Sequence, residues 1–370
     1  MDFTPISHAD ITAFLMHYKE LSALMVLLFS IVTTLIVMPK IILISKKKNL
    51  TATTNARTSH RGIVPTLGGI GVFTGLLLSA NISAVLFATY DQLINLMIFN
   101  ILVLMLLLVG VLDDIMTIAP RKKFLSQLVI AFAFILSTQI YIPSFSGLFG
   151  IGSIPTLIGM VFSVFVMVLI INAYNLIDGI DGLAGMLGTV ISGVLSIVFY
   201  MSDYFFLCLI SLALVGSLLA FLVFNFSRRL KIFLGDTGSM VVGFVLSVQV
   251  VLFLSVADKN PQLDLFKNAP IFVMALLSYP LLDTLRVFFI RIKCGRSPFS
   301  ADRNHIHHRL IDLGLSHKYA SVIIALYTVC ITLLTFLLND LPINVVFCII
   351  LPVATGTMLL PFVVHRKRNK

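Results

Sequence analysis

Five short polar segments interrupt a chain that is otherwise strongly apolar. They span residues 57–69, 113–114, 172–183, 235–239 and 305–308. Ionisable side chains at membrane depth are energetically costly, and they usually mark functional sites. The topology that the lysine and arginine residues predict places all five segments on one side of a membrane. They therefore predict an active site assembled from loops that are distant in the sequence.

Asp113 and Asp114 follow the apolar run 101–112 without a polar spacer. Adjacent carboxylates repel each other, and they are unfavourable at the C-terminus of a helix, the negative end of its dipole. A cation, a basic side chain or a shared proton would relieve this repulsion, so the pair indicates metal binding or general-base chemistry. For either aspartate alone, a helix end that meets water is the alternative. Basic residues at 121–123 then begin the next helix, whose free backbone N–H groups can also bind phosphate.

Four amide and carboxylate side chains recur at intervals of three within residues 172–183. They are Asn172, Asn175, Asp178 and Asp181. On a helix this spacing would place them along one stripe, and a set of oxygen ligands suits Mg²⁺ or Mn²⁺. Gly179 and Gly182 would let the backbone approach a ligand closely. A polar helix end followed by turn glycines is the alternative interpretation.

Asp236 lies in the segment Gly-Asp-Thr-Gly-Ser at 235–239, between basic residues and a new apolar run. The segment alone is a weak signal, because similar triplets occur in many turns. Its carboxylate could cap the following helix, bind a metal ion, or do both.

Three of the four residues in the fifth segment are histidines, and an arginine lies on each side of the segment. The histidines are His305, His307 and His308, with Arg303 before them and Arg309 after them. The histidines could bind a metal ion or a phosphate group. The arginines favour phosphate, because a guanidinium fork matches phosphate oxygens. A solvated basic loop is the alternative. Together the five segments suit phosphoryl transfer, which depends on positioning and charge neutralisation.

The composition places these segments in an integral membrane protein. Of 370 residues, 59% are hydrophobic and 11% are charged, and the mean hydropathy is +1.06. Soluble domains contain about 25% charged residues. The net charge of +10 could suggest a protein that binds nucleic acid. The basic residues, however, lie in short loops beside apolar runs, and the positive-inside rule for membrane proteins explains that distribution better. The four cysteines form no Cys-x-x-Cys pair, so neither a disulfide framework nor a zinc site is indicated.

Eleven apolar stretches are long enough to cross a bilayer as helices, which takes about 20 residues each. They lie near residues 20–44, 64–88, 93–112, 124–142, 157–174, 182–201, 204–226, 239–257, 269–290, 319–339 and 343–364. The first is too long for the core of a cleaved signal, so we expect an uncleaved span. The sequence thus predicts an all-α bundle and one catalytic domain over residues 1–370. Glycines and prolines at 143–155 indicate a turn-rich loop with a small hairpin.

The distribution of lysine and arginine residues predicts the orientation of the chain in the membrane. With the N-terminus outside and the C-terminus in the cytoplasm, nearly all of the 26 basic residues fall on the inner side. The exceptions are Lys19, Lys259 and Lys267. This asymmetry matches the positive-inside rule, and it places the five polar segments at the cytoplasmic face.

The order and spacing of the motifs resemble the polyprenyl-phosphate N-acetylhexosamine-1-phosphate transferase superfamily. The resemblance covers roughly residues 20–320, followed by two more spans and a basic tail at 319–370. It implies transfer of a sugar 1-phosphate from a UDP-N-acetylhexosamine to undecaprenyl phosphate, with release of UMP and a requirement for Mg²⁺, or else Mn²⁺. It further implies the bacterial cytoplasmic membrane, no nucleic acid partner, and a homodimer as one oligomeric state to consider.

The resemblance also assigns expected roles to individual residues. Asp113 and Asp114 would handle the lipid phosphate and base chemistry, Asp236 and Asn175 would bind the metal ion, and Lys123 would contact the lipid phosphate. Asp181 would meet the uracil, and Phe233 would lie beside the nucleobase. The remaining substrate-binding positions are Arg61, Thr66, Asn172, Asp178, Arg303, His305, His307 and His308.

Two differences from one branch of the superfamily narrow the expected substrate class. Thr117 occupies a position where the branch that transfers phospho-N-acetylmuramoyl-pentapeptide usually carries lysine, and Ile306 interrupts what that branch tends to have as three successive histidines. The simpler hexosamine branch, with N-acetylglucosamine, is therefore favoured. The pentapeptide transferase is the nearest alternative, and an ion-coupled transporter is the alternative from another class. A transporter should carry its acidic residues at mid-span on broken helices.

Overall fold

The computed structural model describes residues 15–50, 64–257, 266–295 and 304–368, which form a helical bundle with one small hairpin. The elements are α1 (Lys19–Lys47), α2 (Gly68–Phe87), α3 (Tyr90–Met116), α4 (Pro120–Thr138), β1 (Ser144–Leu148), β2 (Ile151–Ser153), α5 (Thr156–Ile177), α6 (Leu183–Met201), α7 (Phe205–Asn225), α8 (Gly235–Ala257), α9 (Ala269–Leu276), α10 (Ser278–Lys293), α11 (Ile306–Asp312), α12 (His317–Leu337) and α13 (Ile343–Arg368). The predicted polytopic all-α class is confirmed.

Among the described residues, nine helices are long and apolar enough to cross a membrane. The pair α9–α10 raises the number to as many as ten if it forms one bent span. Helix α4 corresponds to the remaining predicted span, but its first turn carries the three basic residues 121–123. Each predicted span thus coincides with a helix or a helix pair, while the total of eleven and the orientation stay predictions.

Helix α1 packs one face against the protein and exposes its other faces. Its buried residues recur every three or four positions along one stripe, and several are small, including Ser22, Ser30 and Thr34. The Ser30 hydroxyl donates to the Ala213 carbonyl of α7 at 2.6 Å, as small polar residues do between membrane helices. The remaining faces expose large apolar side chains such as Leu24 and Ile36, which suit contact with lipid.

Helix α8 lies at the centre of the bundle. It packs against α5, α3 and α2, and side chains around its whole circumference are buried. Because α8 begins at Gly235 in the fourth polar segment, its N-terminus is surrounded by the ends of neighbouring helices. This arrangement places that polar segment at the packed end of the bundle, with Asp236 partly exposed.

The turn-rich loop between α4 and α5 contains the predicted hairpin. Strands β1 and β2 pair antiparallel, with Ser144 opposite Ser153. The Phe149 N–H donates to the Asn344 side-chain oxygen at 2.8 Å, and the Phe149 ring packs edge-on against Phe347. These contacts tie the hairpin to the start of α13, at the end of the bundle opposite the turn between α3 and α4.

The predicted span 269–290 is not one continuous helix. Helices α9 and α10 meet at Leu277 with a bend of 71°. Pro280 explains the break, because it has no N–H to donate to the Leu276 carbonyl and its ring would clash with that carbonyl. The bend gives α10 a different direction from α9, and α10 carries residues that bind the histidine segment.

The predicted topology can be tested with single cysteines at opposite ends of the bundle. In a background without Cys208, Cys294, Cys330 and Cys348, we expect Asp340→Cys to react with a membrane-impermeant thiol reagent in intact cells. Ala119→Cys should resist the reagent until the cells are permeabilised. Both positions are exposed, so accessibility within the protein does not distinguish them. Labelling of Ala119→Cys in intact cells would contradict a cytoplasmic site.

Candidate active site

The ends of four helices meet around the Lys123 side chain. Its ammonium group lies 2.5 Å from Asp113 Oδ2, at the end of α3, and 2.6 Å from Asp236 Oδ1, in the first turn of α8. The Asn175 amide of α5 donates to the same Asp236 oxygen at 2.6 Å and to Ser239 Oγ at 2.7 Å. The structure therefore brings together residues from the second, third and fourth polar segments.

Asp113 has a defined partner for each carboxylate oxygen. Oδ1 accepts a hydrogen bond from the Ile118 backbone N–H at 2.7 Å, and Oδ2 faces Lys123. The side chain is only 7% exposed, so the basic partner compensates a carboxylate that would be costly to bury alone. A basic side chain was one of the three ways in which the aspartate pair could be stabilised.

Asp114 faces a different set of groups from Asp113. Its oxygens accept from the backbone N–H of Asp236 at 2.9 Å, the backbone N–H of Thr237 at 3.0 Å and the Thr237 hydroxyl at 2.5 Å. The first N–H groups of a helix have no partner within it, and side-chain oxygens commonly supply one. Asp114 thus caps α8 from another helix. Asp114 therefore holds the first turn of α8, which carries Asp236, and its expected catalytic role stays a prediction.

Close backbone approach explains two glycines at this junction. Gly235 has φ of +74°, and a Cβ atom there would lie 2.0 Å from the Thr66 carbonyl oxygen. A Cβ atom at Gly110, one turn before Asp114, would lie 2.5 Å from Thr237 Cα. Larger residues would therefore push α3 away from α8 and separate Asp114 from the groups that it caps.

The second side of the site is formed by the chain before α2. The Phe233 N–H donates to the Pro65 carbonyl at 2.8 Å, and the N–H groups of Gly68 and Gly69 donate to residues 233 and 234 at 3.0 and 2.9 Å. Thr66 therefore lies beside the turn that leads into Asp236. The predicted residues Arg61 and Arg303 lie outside the described residues.

Only the first part of the third polar segment, up to the end of α5, is helical. The helix ends at Ile177, so the predicted stripe does not continue to Asp181. Asn172 donates to the Gln127 side-chain oxygen at 2.5 Å and to the Val168 carbonyl at 2.8 Å. It therefore links α5 to α4, one turn away from the Asn175 contact with Asp236.

Asp178 lies at the end of α5 among several other carboxylates. Burial, together with the smaller effect of the negative charges of Asp236, Asp114 and Asp181, raises its pKa to about 8. The four carboxylates therefore lie close enough to repel one another. Near Asp236, the carboxylates of Asp113 and Asp114, the Asn175 amide and the Ser239 hydroxyl supply oxygen atoms, and such a donor set fits a divalent cation with a preference for oxygen.

Asp181 belongs to a second charged cluster. Its Oδ2 lies 2.7 Å from the Lys231 ammonium group and 3.2 Å from His317 Nδ1. The Lys231 ammonium also lies 5.5 Å from the centre of the Phe233 ring. Sequence reasoning counted Lys231 only as a basic loop residue and missed His317, because neither belongs to a motif whose spacing indicates a role.

The histidine segment lies at the start of α11 and is mostly buried. His305 and His307 are 4% and 1% exposed, whereas His308 is partly exposed. His305 Nδ1 lies 2.8 Å from Asp283 Oδ2, and His307 Nδ1 lies 3.2 Å from the Tyr279 hydroxyl. Burial lowers the pKa of His307 well below its usual value, with a further contribution from His308. A neutral His307 supplies no positive charge to a phosphate group.

Among the described histidine, cysteine and carboxylate side chains, Asp283, His305 and His307 form the only group of three close enough to hold one metal ion. Asp283 already forms an ion pair with Arg286 at 3.0 Å. Two nitrogens and a neutralised carboxylate suit Mg²⁺ poorly, so the oxygen-rich surroundings of Asp236 fit Mg²⁺ better. Sequence reasoning missed Asp283, although a carboxylate within a predicted span is a recognised functional signal.

Comparison with known proteins agrees with the arrangement of the motifs. The family model for glycosyl transferase family 4 matches residues 95–254. A Pasteurella multocida protein named undecaprenyl-phosphate alpha-N-acetylglucosaminyl 1-phosphate transferase is 33% identical, with 82% of each chain covered. The chain belongs to glycosyl transferase family 4. Proteins of the same name from Haemophilus influenzae and Yersinia pestis are 31% and 28% identical to this family 4 member. They cover 75% and 74% of its chain and 77% and 72% of their own.

The cap formed by Asp114 leads to a testable prediction for this family 4 transferase. Asp114→Ala should destabilise the protein by about 1–2 kcal/mol, because helix N-caps contribute that much. It should also abolish most of the turnover by displacing Asp236. Asp91→Ala, which removes an exposed acidic residue from the first turn of α3, is the matched control. Melting temperature and turnover should be measured together, and wild-type values for Asp114→Ala would contradict the capping role.

Proposed function

We propose that this chain transfers N-acetylglucosamine 1-phosphate from UDP-N-acetylglucosamine to undecaprenyl phosphate and releases UMP. The observation that carries the proposal is the contact of Lys123 with both Asp113 and Asp236 at one end of a membrane bundle. The reaction named for the relatives needs a lipid phosphate and a sugar nucleotide to meet at a membrane surface. The site would face the cytoplasm of the bacterial inner membrane, in agreement with the predicted topology.

The lipid phosphate would bind near Asp113 and Lys123. Both residues lie at helix ends, where a phosphate headgroup at the membrane edge can reach them while its tail stays in the lipid. The Lys123 ammonium group would hold the phosphate by charge. Asp113 would accept a proton from a protonated lipid phosphate, and general bases typically accelerate reactions by about 10²–10⁴-fold.

The residues around Asp236 would hold a divalent cation, Mg²⁺ or else Mn²⁺. Asp236 and Asn175 are the proposed ligands, and the neighbouring carboxylates of Asp113, Asp114 and Asp178 support a site for a cation there. When bound, the ion would neutralise the diphosphate of the sugar nucleotide. Asp114 fixes the position of Asp236 through the first turn of α8.

The nucleotide would bind on the side of the site formed by Phe233, Lys231 and Asp181. The Phe233 ring offers a flat apolar surface to the uracil, and Lys231 and Asp181 offer polar groups to its edge. Thr66 lies beside the turn after Phe233, close enough to line the same space. The diphosphate would then lie between this region and Lys123.

We propose direct transfer between the two substrates. An oxygen of the lipid phosphate forms a bond to the β-phosphorus, the bond from that phosphorus to the bridging oxygen breaks, and the electron pair leaves with UMP. The alternative is a two-step reaction in which Asp236 attacks first and forms a covalent intermediate. Asp236 Oδ1 already contacts Lys123 and Asn175, and these hydrogen bonds lower its nucleophilicity.

Purified protein tests both the reaction and its order of steps. With Mg²⁺ and UDP-N-acetylglucosamine, we expect UMP only after undecaprenyl phosphate is added, because direct transfer needs both substrates bound. Failure to release UMP with both substrates present would refute the proposed function. A burst of UMP equal to the enzyme concentration, with lipid phosphate rigorously removed, would instead support the two-step reaction.

Substitution of Asp236 tests its role as a metal ligand. Asp236→Asn keeps the shape of the side chain but removes its charge, so turnover should fall by at least about 100-fold, since metal charge stabilisation is worth several kcal/mol. The melting temperature should stay near that of the wild type. Asp203→Asn, at an exposed joint, is the control. Near-normal turnover of Asp236→Asn at saturating Mg²⁺ would exclude the ligand role.

A further inference from the structure

One face of α10 holds the histidine segment in place. Tyr279, Asp283 and Arg286 are four and three residues apart, so they lie on the same side of the helix. Tyr279 is 1% exposed and Asp283 is 0% exposed. Their partners are the Asn304 carbonyl and residues 305–307, and none of these α10 residues was assigned a role in the proposed reaction.

Asp283 accepts from three donors, one on its own helix and two in the histidine segment. Its Oδ2 lies 2.8 Å from His305 Nδ1, and its Oδ1 accepts from the Ile306 backbone N–H at 3.2 Å and from Arg286 at 3.0 Å. Arg286 also donates to the Asn304 carbonyl. A fully buried carboxylate is stable only with such partners, so its position and that of His305 depend on each other.

The contacts continue from His305 to the proposed substrate site. The rings of His305 and His307 stack with centroids 5.4 Å apart, and His307 is also bonded to Tyr279. A Cβ atom at Gly179 would lie 2.5 Å from His307 Nε2, so His307 packs directly against that glycine. Gly179 follows Asp178. The partly exposed His308 ring also lies next to His307, with ring centroids 4.3 Å apart.

We propose that Asp283 is a positioning residue for binding of the UDP-sugar, an inference that rests on the proposed function. It holds His305, and through His305 it fixes His307 against Gly179 and presents His308 at the site. Asp283 itself is buried away from substrate. Its contribution is to the geometry of the loop that carries Asp178 and Asp181, and not to charge at the reacting atoms.

Asp283→Asn tests this role with a specific kinetic signature. The amide keeps an acceptor for Ile306 but loses the charge that pairs with Arg286 and presents N–H groups toward His305. Small displacements at a site can reduce rates by about 100-fold, so we expect kcat/KM for UDP-N-acetylglucosamine to fall by about that factor. Most of the fall should be a raised KM for the UDP-sugar, while KM for undecaprenyl phosphate should stay near its wild-type value.

A double-mutant cycle separates positioning from general stability. If Asp283 acts through His305, Asp283→Asn should have little further effect in a His305→Ala background. A merely structural role would reduce kcat/KM by the same factor in both backgrounds. Asp312→Asn is the matched control, because Asp312 is an exposed carboxylate on α11 that pairs with Arg309. It should leave both KM values unchanged.

A milder variant keeps the test decisive if Asp283→Asn does not fold. Tyr279→Phe removes only the hydroxyl that contacts His307, and it should raise the same KM to a smaller extent. An unchanged UDP-sugar KM in either folded variant, or equal changes for both substrates, would overturn the positioning role. Absence of UMP release by the wild-type protein would refute the proposed function instead, so the two failures are distinguishable.

Discussion

The structure depends on the cost of burying carboxylates at one end of a membrane bundle. Three of these carboxylates are compensated by basic groups. Asp113 at the end of α3 meets Lys123 of α4, Asp181 meets Lys231, and Asp283 of α10 meets His305 and Arg286. A buried charge without a partner would be strongly unfavourable, so these pairs hold separate polar segments together. The same contacts that stabilise this end of the bundle also assemble the site.

The N-terminus of α8 is where this constraint acts most directly. Asp114 satisfies the free N–H groups of the first turn, and Gly110 and Gly235 permit the approach that this requires. The helix behind this turn is buried around its circumference, so its position is set by packing along its whole length. Asp236 is consequently held on a rigid element, as a proposed metal ligand needs to be.

Two further regions extend the site away from Lys123. The cluster of Asp181, Lys231 and Phe233 suits a nucleotide, while the histidine segment lies against Gly179 in the third polar segment. The bend at Pro280 matters here, because it directs α10 toward that segment. Helices outside the motifs therefore contribute to the site through packing and hydrogen bonds.

The sequence by itself determined the class of protein, the approximate helices, the hairpin and the residues with functional chemistry. Those properties follow from local composition and spacing. A membrane helix needs a long apolar run, and a charged side chain within such a run is costly in the bilayer. Only the tertiary structure distinguished Asp113 from the adjacent Asp114, ended the Asn–Asp stripe at Ile177, and buried His305 and His307 against Tyr279 and Asp283. These distinctions depend on which groups from distant helices come within hydrogen-bonding distance, and no local pattern in the sequence encodes that.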